Sequence, residues 1–283
     1  MRAIKTLFLL TALTILLVLG GEAMGGQQGM TIALIMAVVM NGGAYFFSDK
    51  IALSSSGAQP VSREQLPRLY TVMDRLTSKA GLPMPKLYVI PQPAPNAFAT
   101  GRNPSHASVA VTAGLMELMN DDELEGVIAH ELSHVRNYDI LITSVAATMA
   151  GAITWIASMG RWAMIFGGFG SRDDRRGGGL GALLMLLVAP FAAMLIQLGI
   201  SRQREFSADA SGVRMVGHAN GLISALEKLG AYNNRIPMDV SPATASLFIV
   251  APLTAGQVFK GMFSTHPPLA ERIAVLRSMT ITR

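Results

Sequence analysis

Asn120-Asp121-Asp122-Glu123-Leu124-Glu125-Gly126-Val127-Ile128-Ala129-His130-Glu131-Leu132-Ser133-His134-Val135 is the stretch on which the reading of this chain turns. Leu124, Val127, Ile128, Leu132 and Val135 recur at helical intervals, and the acidic residues at the start suit the positive end of a helix dipole. Within it, His130 to His134 has the pattern H-E-x-x-H. Residues four apart share one helical face, so two imidazoles can hold one metal ion. The intervening Glu131 stands beside them and can take a proton from a water that the metal activates. Glu131 lies seven residues after Leu124, His134 seven after Val127 and His130 three after Val127, so all three point into the apolar stripe. Core histidines satisfied by neighbours are the bland alternative. An acid and two imidazoles buried together are costly unless compensated, and a divalent cation is the compensation that fits.

The chain has no cysteine, so further ligands must be His, Asp or Glu. Ser201-Arg202-Gln203-Arg204-Glu205-Phe206-Ser207-Ala208-Asp209-Ala210 offers Glu205 and Asp209 four apart on one helical face. One carboxylate can bind the metal while the other accepts the N–H of a ligating histidine. The competing reading is a solvated charged face, helped by Arg202 and Arg204. Two histidines, one carboxylate and an open position make the ligand set of catalytic zinc.

Outward from these motifs, the composition points to lipid. Only 14% of the 283 residues are charged and 51% are hydrophobic, whereas roughly a quarter of an ordinary soluble protein is charged. The net charge of +5 is read as flanking positive charge on membrane spans, since no basic run interleaved with aromatics supports nucleic-acid binding. Thr6 to Gly21 is uncharged, and after a short loop at Ala23-Met24-Gly25-Gly26 a second apolar run extends from Met30 to Phe47. A cleaved signal peptide fits the first run alone. The pair reads as a transmembrane hairpin, with Arg2, Lys5 and Lys50 marking the cytoplasmic side.

Residues 51–139 read as the first part of a water-soluble catalytic domain. A capping box at Ser62-Arg63-Glu64-Gln65 is expected to open a helix that Gly81 and Pro83 end. Lys86 to Ile90 and Ser108 to Thr112 read as strands, and Asn120 to Glu123 as the start of the motif helix. Residues 140–200 read as a second hydrophobic hairpin, with two runs each long enough to span. The loop between them carries Arg161, Arg172, Arg175 and Arg176, which favour the cytoplasm, so a partly inserted hairpin competes with two full crossings. Full crossings are the expectation, giving four transmembrane helices. Residues 201–283 form the second part of the catalytic domain, closing with Pro267-Pro268 and an amphipathic helix of Leu269, Ile273 and Leu276. His106 and His218 stand in turn-like settings without an assigned role.

His130 to His134, Ser201-Arg202 through Arg204-Glu205-Phe206 to Ala208-Asp209, and Thr265-His266-Pro267-Pro268-Leu269 with Glu271-Arg272-Ile273 together resemble the HtpX family of membrane-bound zinc metallopeptidases, related to the CAAX prenyl endoproteases. Asn96-Ala97-Phe98-Ala99-Thr100-Gly101 and the two N-terminal spans are also similar to that family. The resemblance implies an α-helical membrane protein with a mainly α, zincin-like (gluzincin) catalytic domain carrying a small β-sheet or hairpin. It further implies one zinc ion per chain, with Glu205 as third ligand beside His130 and His134, and Asp209 as partner of a ligating histidine. By the same resemblance His266 is a possible hydrogen-bond donor to the developing oxyanion. Asn96, Ala97, Phe98 and Ala99 are expected to pair, as an edge strand, with an extended substrate backbone. The implied protein sits in a bacterial inner membrane with its catalytic domain in the cytoplasm, and cleaves damaged or misfolded membrane proteins.

Three other readings compete. An intramembrane metalloprotease also uses H-E-x-x-H, but Asp121, Asp122, Glu123 and Glu125 lead straight into this helix, and no Asp-Gly pair supplies that class's usual ligand. A non-catalytic metal-binding scaffold or chaperone has no need of Glu131. A transporter gains little support from spans without a charge at mid-membrane.

Overall fold

The computed structural model describes residues 2–149, 202–233, 238, 242–250 and 267–279. Within them the chain is mainly helical, with one four-stranded sheet. It opens on a helical segment, α1 (Arg2–Ser55), interrupted at Gly26, where φ is +57°. Glycine adopts this left-handed conformation without a Cβ clash. Beyond it the chain doubles back, because Asn41 Nδ2 donates to Leu10 O at 3.3 Å and to Thr14 Oγ1 at 2.8 Å. Residues 31 apart on one straight helix would stand roughly 46 Å from each other. A Cβ on Gly21 would fall 2.5 Å from Gly29 O and from Ala33 Cβ, so glycine lets the two arms approach.

Among the described residues one helix, Gly26–Ser55, is long and apolar enough to cross a membrane. Its outward face is bare, with Ile32, Ile35, Val38 and Val39 at 61%, 61%, 64% and 68% exposure. Its end turns into the protein, where Ala52 and Leu53 pack with Ile90, Phe98, Ala110 and Phe248.

After β1 (Gln59–Pro60), α2 runs Pro67–Ala80 with Leu66 as its N-cap and no side-chain cap. The capping box expected at Ser62 is therefore corrected. Pro67 presets the first helical residue and disfavours helical backbone at Leu66, so the helix cannot begin earlier. Ser62 to Leu66 closes a turn instead, with the Ser62 N–H donating to Gln65 Oε1 at 2.8 Å. Gly81, at φ +64°, ends the helix where the sequence placed its end.

The strands β2 (Lys86–Ile90), β3 (Ala97–Gly101) and β4 (Ala107–Thr112) follow. The sheet order is β1-β2-β4-β3, with β4 parallel to β2 and antiparallel to β3, which leaves β3 at the edge. A short helix α3 (Ala113–Leu118) leads to α4 (Asp121–Arg136). Asn120 caps α4 in a true capping box, its Oδ1 accepting the Glu123 N–H while Glu123 Oε2 accepts the Asn120 N–H, both at 2.9 Å. Glu123 also receives Ser224 Oγ at 2.6 Å and Lys228 Nζ at 2.7 Å.

Helix α4 is buried on nearly every side, so it forms the axis of the core. Tyr138, at φ +59°, turns the chain sharply behind it into the apolar helix α5 (Asp139–Met149). The opening of the second hydrophobic stretch is thus packed into the protein: Ile140, Ile142, Val145, Ala146, Ala147 and Met149 are buried, and Ser144 Oγ lies 2.7 Å from Thr100 Oγ1 of β3. The rest of that stretch, with its arginine-bearing loop, lies outside the described residues, and so does His266. Among the described residues the remaining helices are α6 (Arg202–Val216), α7 (Asn220–Asn233), α8 (Pro242–Ala245) and α9 (Leu269–Ser278).

Glycine sets the spacing of the helices around α4. A Cβ on Gly126 would meet the Leu222 backbone nitrogen of α7 at 2.6 Å, and one on Gly221 would run into the Asp122 carbonyl oxygen. Gly126→Ala should therefore destabilise the protein by about 1–3 kcal/mol, although alanine favours helix by up to ~1 kcal/mol. Thermal unfolding in detergent checks this; the expected result is a midpoint lower by several degrees.

Candidate metal centre

Three side chains from two helices converge at one point. His130 and His134 come from α4 and Glu205 from the first turn of α6. The two Nε2 atoms lie 3.3 Å apart. Glu205 Oε2 stands 3.5 Å from His130 Nε2, and Glu205 Oε1 stands 3.6 Å from His134 Nε2. Two ligand atoms each ~2.0–2.1 Å from a tetrahedral ion are about 3.3 Å apart, so this donor set fits zinc in spacing and in chemistry. All three ligand atoms lie within 4.8 Å of one another. The close approach of α6 to α4 rests on Gly212, whose added Cβ would sit 3.1 Å from the His130 nitrogen. Glu205, Asp209 and Gly212 share one face of α6, so both carboxylates and the contact glycine arrive together.

His130 is fully buried. Its Nδ1 lies 2.8 Å from Asp209 Oδ1. A carboxylate only accepts, so Nδ1 carries the hydrogen and Nε2 faces the metal position. Burial and the Arg272 guanidinium push the imidazole down, but Asp209 and Glu205 outweigh them and raise it to about 9. A metal ion bound at Nε2 would displace that proton. His134 is arranged alike, its Nδ1 3.4 Å from Asp139 Oδ2. Asp139 follows Tyr138, whose φ of +59° turns the chain back towards His134.

Glu131, 2% exposed, lies beside this cluster, and the pocket is walled by Ala99, Thr143, Arg204 and the segment Ser246 to Ile249. Burial lifts its carboxyl above the ordinary range and Glu205 adds to this, against the pull of both histidines and a hydrogen bond from the Ala99 backbone. The free edge of β3 is shared, because Ala97 O accepts the Ile249 N–H at 2.9 Å and Asn96 Nδ2 donates to Val250 O at 2.8 Å. Phe98 faces away from the cleft, into a contact with Phe248 at 5.0 Å between ring centres. Of the expected substrate residues, Ala99 lines the pocket, while Asn96, Ala97 and Phe98 are engaged with residues 248–250.

Two further buried charges, to which the sequence reading gave no role, stand at the centre. Asp139 follows the helix by a turn and lies five residues from His134. Arg272, 0% exposed, forks onto Asp209, with Nε to Oδ2 at 2.8 Å and Nη2 to Oδ1 at 2.7 Å. A signal for it exists: it lies between Leu269 and Leu276, three and four residues away, on the buried face of α9, where a charge is out of place. His106 and His218 are exposed and lie in a 3₁₀ turn and after α6 respectively, away from the centre.

Residues 63–280 match the family model Peptidase family M48. A "Protease HtpX homolog" of Desulfatibacillum aliphaticivorans is 58% identical over 274 residues, covering 96% of this chain and 88% of that protein. A "Protease HtpX homolog" of Syntrophotalea carbinolica is 52% identical, covering 99% of this chain and 100% of its own. Among solved structures, the crystal structure of S. mikatae Ste24p matches with a TM-score of 0.52 at 22% identity, over 97% of this chain and 65% of that one. At that identity the likeness concerns the fold.

Proposed function

The chain belongs to peptidase family M48, and from that premise we propose that it is a membrane-anchored zinc endopeptidase. The observation that carries this reading is the meeting of His130, His134 and Glu205 beside the buried Glu131. His130, His134 and Glu205 would hold the metal. A zinc ion bound there would supply a Lewis acid for the scissile carbonyl and bring the attacking water towards a pKa of ~7.

The chain's own groups do the rest. Asp209 and Asp139 orient the two imidazoles through Nδ1. Glu131 takes the water's proton and returns it to the leaving amine, and no covalent enzyme intermediate is required. An extended peptide would lie along the outer edge of β3 at Ala99, which brings its carbonyl to Glu131. His266 remains the proposed oxyanion donor. The bare apolar face of Gly26–Ser55 supports lipid as its solvent. Protein substrates follow from the protease relatives; damaged membrane proteins, the bacterial inner membrane and the cytoplasmic orientation are parts of the proposal. Motif helix α4 lies in the packed core with the sheet rather than in an apolar span, which favours this reading over an intramembrane protease.

The test is the metal content and casein cleavage of the detergent-purified protein. One zinc per chain and cleavage abolished by a chelator are expected. Folded protein with no stoichiometric metal, or with cleavage indifferent to the chelator, would overturn the proposal.

A further inference from the structure

We infer that Arg272 is a positioning residue for the metal ligand His130, acting through Asp209; the inference rests on the metallopeptidase reading of this centre. Arg272 is the largest fully buried side chain among the described residues. A guanidinium in that position is tolerated only when its donors are matched. Nε and Nη2 take both oxygens of Asp209, at 2.8 and 2.7 Å, and Nη1 donates to Ile249 O at 3.1 Å.

The consequence falls on His130. A carboxylate held by one imidazole N–H alone can swing about its own bond. The two-pronged grip of Arg272 fixes its plane, so that Oδ1 sits 2.7 Å from Nη2 and 2.8 Å from His130 Nδ1 at once. With Nδ1–H pinned there, the ring plane and the direction of Nε2 are set before a metal arrives. A lysine would keep the charge but not the fork, since an ammonium is a point donor. The same guanidinium reaches Ile249, whose N–H bonds Ala97 O on β3. Arg272 therefore connects the His130 ligand with the strand edge along which the substrate is placed, from a helix 63 residues beyond Asp209 in sequence.

Zinc affinity of the full chain in detergent, measured by chelator competition and by the visible spectrum of its cobalt(II) form, tests this. Arg272→Lys should weaken zinc binding by roughly 10–100-fold, as changes behind a ligand do, and should alter the cobalt spectrum. The neutral pair Asp209→Asn/Arg272→Gln removes both buried charges together, which avoids leaving either unpaired. It should fold and show a loss of affinity at least as large. Should Arg272→Lys fail to fold, the pair decides alone. Wild-type zinc affinity in either variant overturns the inference, as does a fall in kcat at saturating zinc with affinity unchanged, which would put Arg272 on the substrate. A lower melting temperature with unaltered affinity would make the residue purely structural and overturn the inference equally. A wild-type protein that binds no zinc defeats the metallopeptidase reading itself, whereas loaded wild type beside an equally tight Arg272→Lys defeats only the positioning role.

Discussion

Glu131→Gln should leave the protein folded and zinc-loaded while removing proteolysis. The substitution keeps the shape of a side chain that is 2% exposed, so packing in the core is preserved. It takes away the only function the proposed mechanism asks of that position. An amide cannot accept the water's proton, and a positioned base contributes about 10²–10⁴-fold to such reactions. The proposed ligands His130, His134 and Glu205 are untouched, and zinc content should equal that of wild type. Casein turnover and metal analysis on one preparation separate these effects. Comparable turnover in the two proteins would sink the assigned mechanism.

How far the sequence carries the structure differs from element to element, for physical reasons. The motif helix is legible because its apolar stripe, its Asn120 start and its i, i+4 histidines all obey one period. Glu205 and Asp209 are legible as a pair on one face, and the structure puts both at the centre with Gly212 behind them. The start of α2 is not, because Ser62 to Gln65 has capping-box spacing while Pro67 decides where helical backbone can begin. Local spacing cannot weigh those two signals. The partners of Asp139 and Arg272 are not legible, since each meets its partner only through tertiary approach. One depends on the left-handed Tyr138, the other on α9 crossing α6. Gly126 and Gly221 pose the same difficulty: a glycine in a helix reads as a weak point until neighbouring backbone is seen within 2.6 Å of its missing Cβ.

Glu205→Ala and Asp209→Ala should separate ligand from support. Glu205 supplies oxygens 3.5 and 3.6 Å from the two imidazole Nε2 atoms, at the spacing expected of zinc ligands. Its loss leaves two histidines, one short of the three protein ligands of a catalytic zinc site. Metal and activity should disappear together. Asp209 touches no ligand position directly; it holds His130 Nδ1 at 2.8 Å and neutralises Arg272. Asp209→Ala should keep a weaker site, with affinity down roughly 10–100-fold, and should also cost stability because the Arg272 charge is left buried without its partner. Zinc titration distinguishes the two, with thermal unfolding of each variant at saturating zinc as the control for folding. If Asp209→Ala strips the metal outright while Glu205→Ala retains it, the two carboxylates have exchanged roles. His130 would then bind through the nitrogen now given to Asp209.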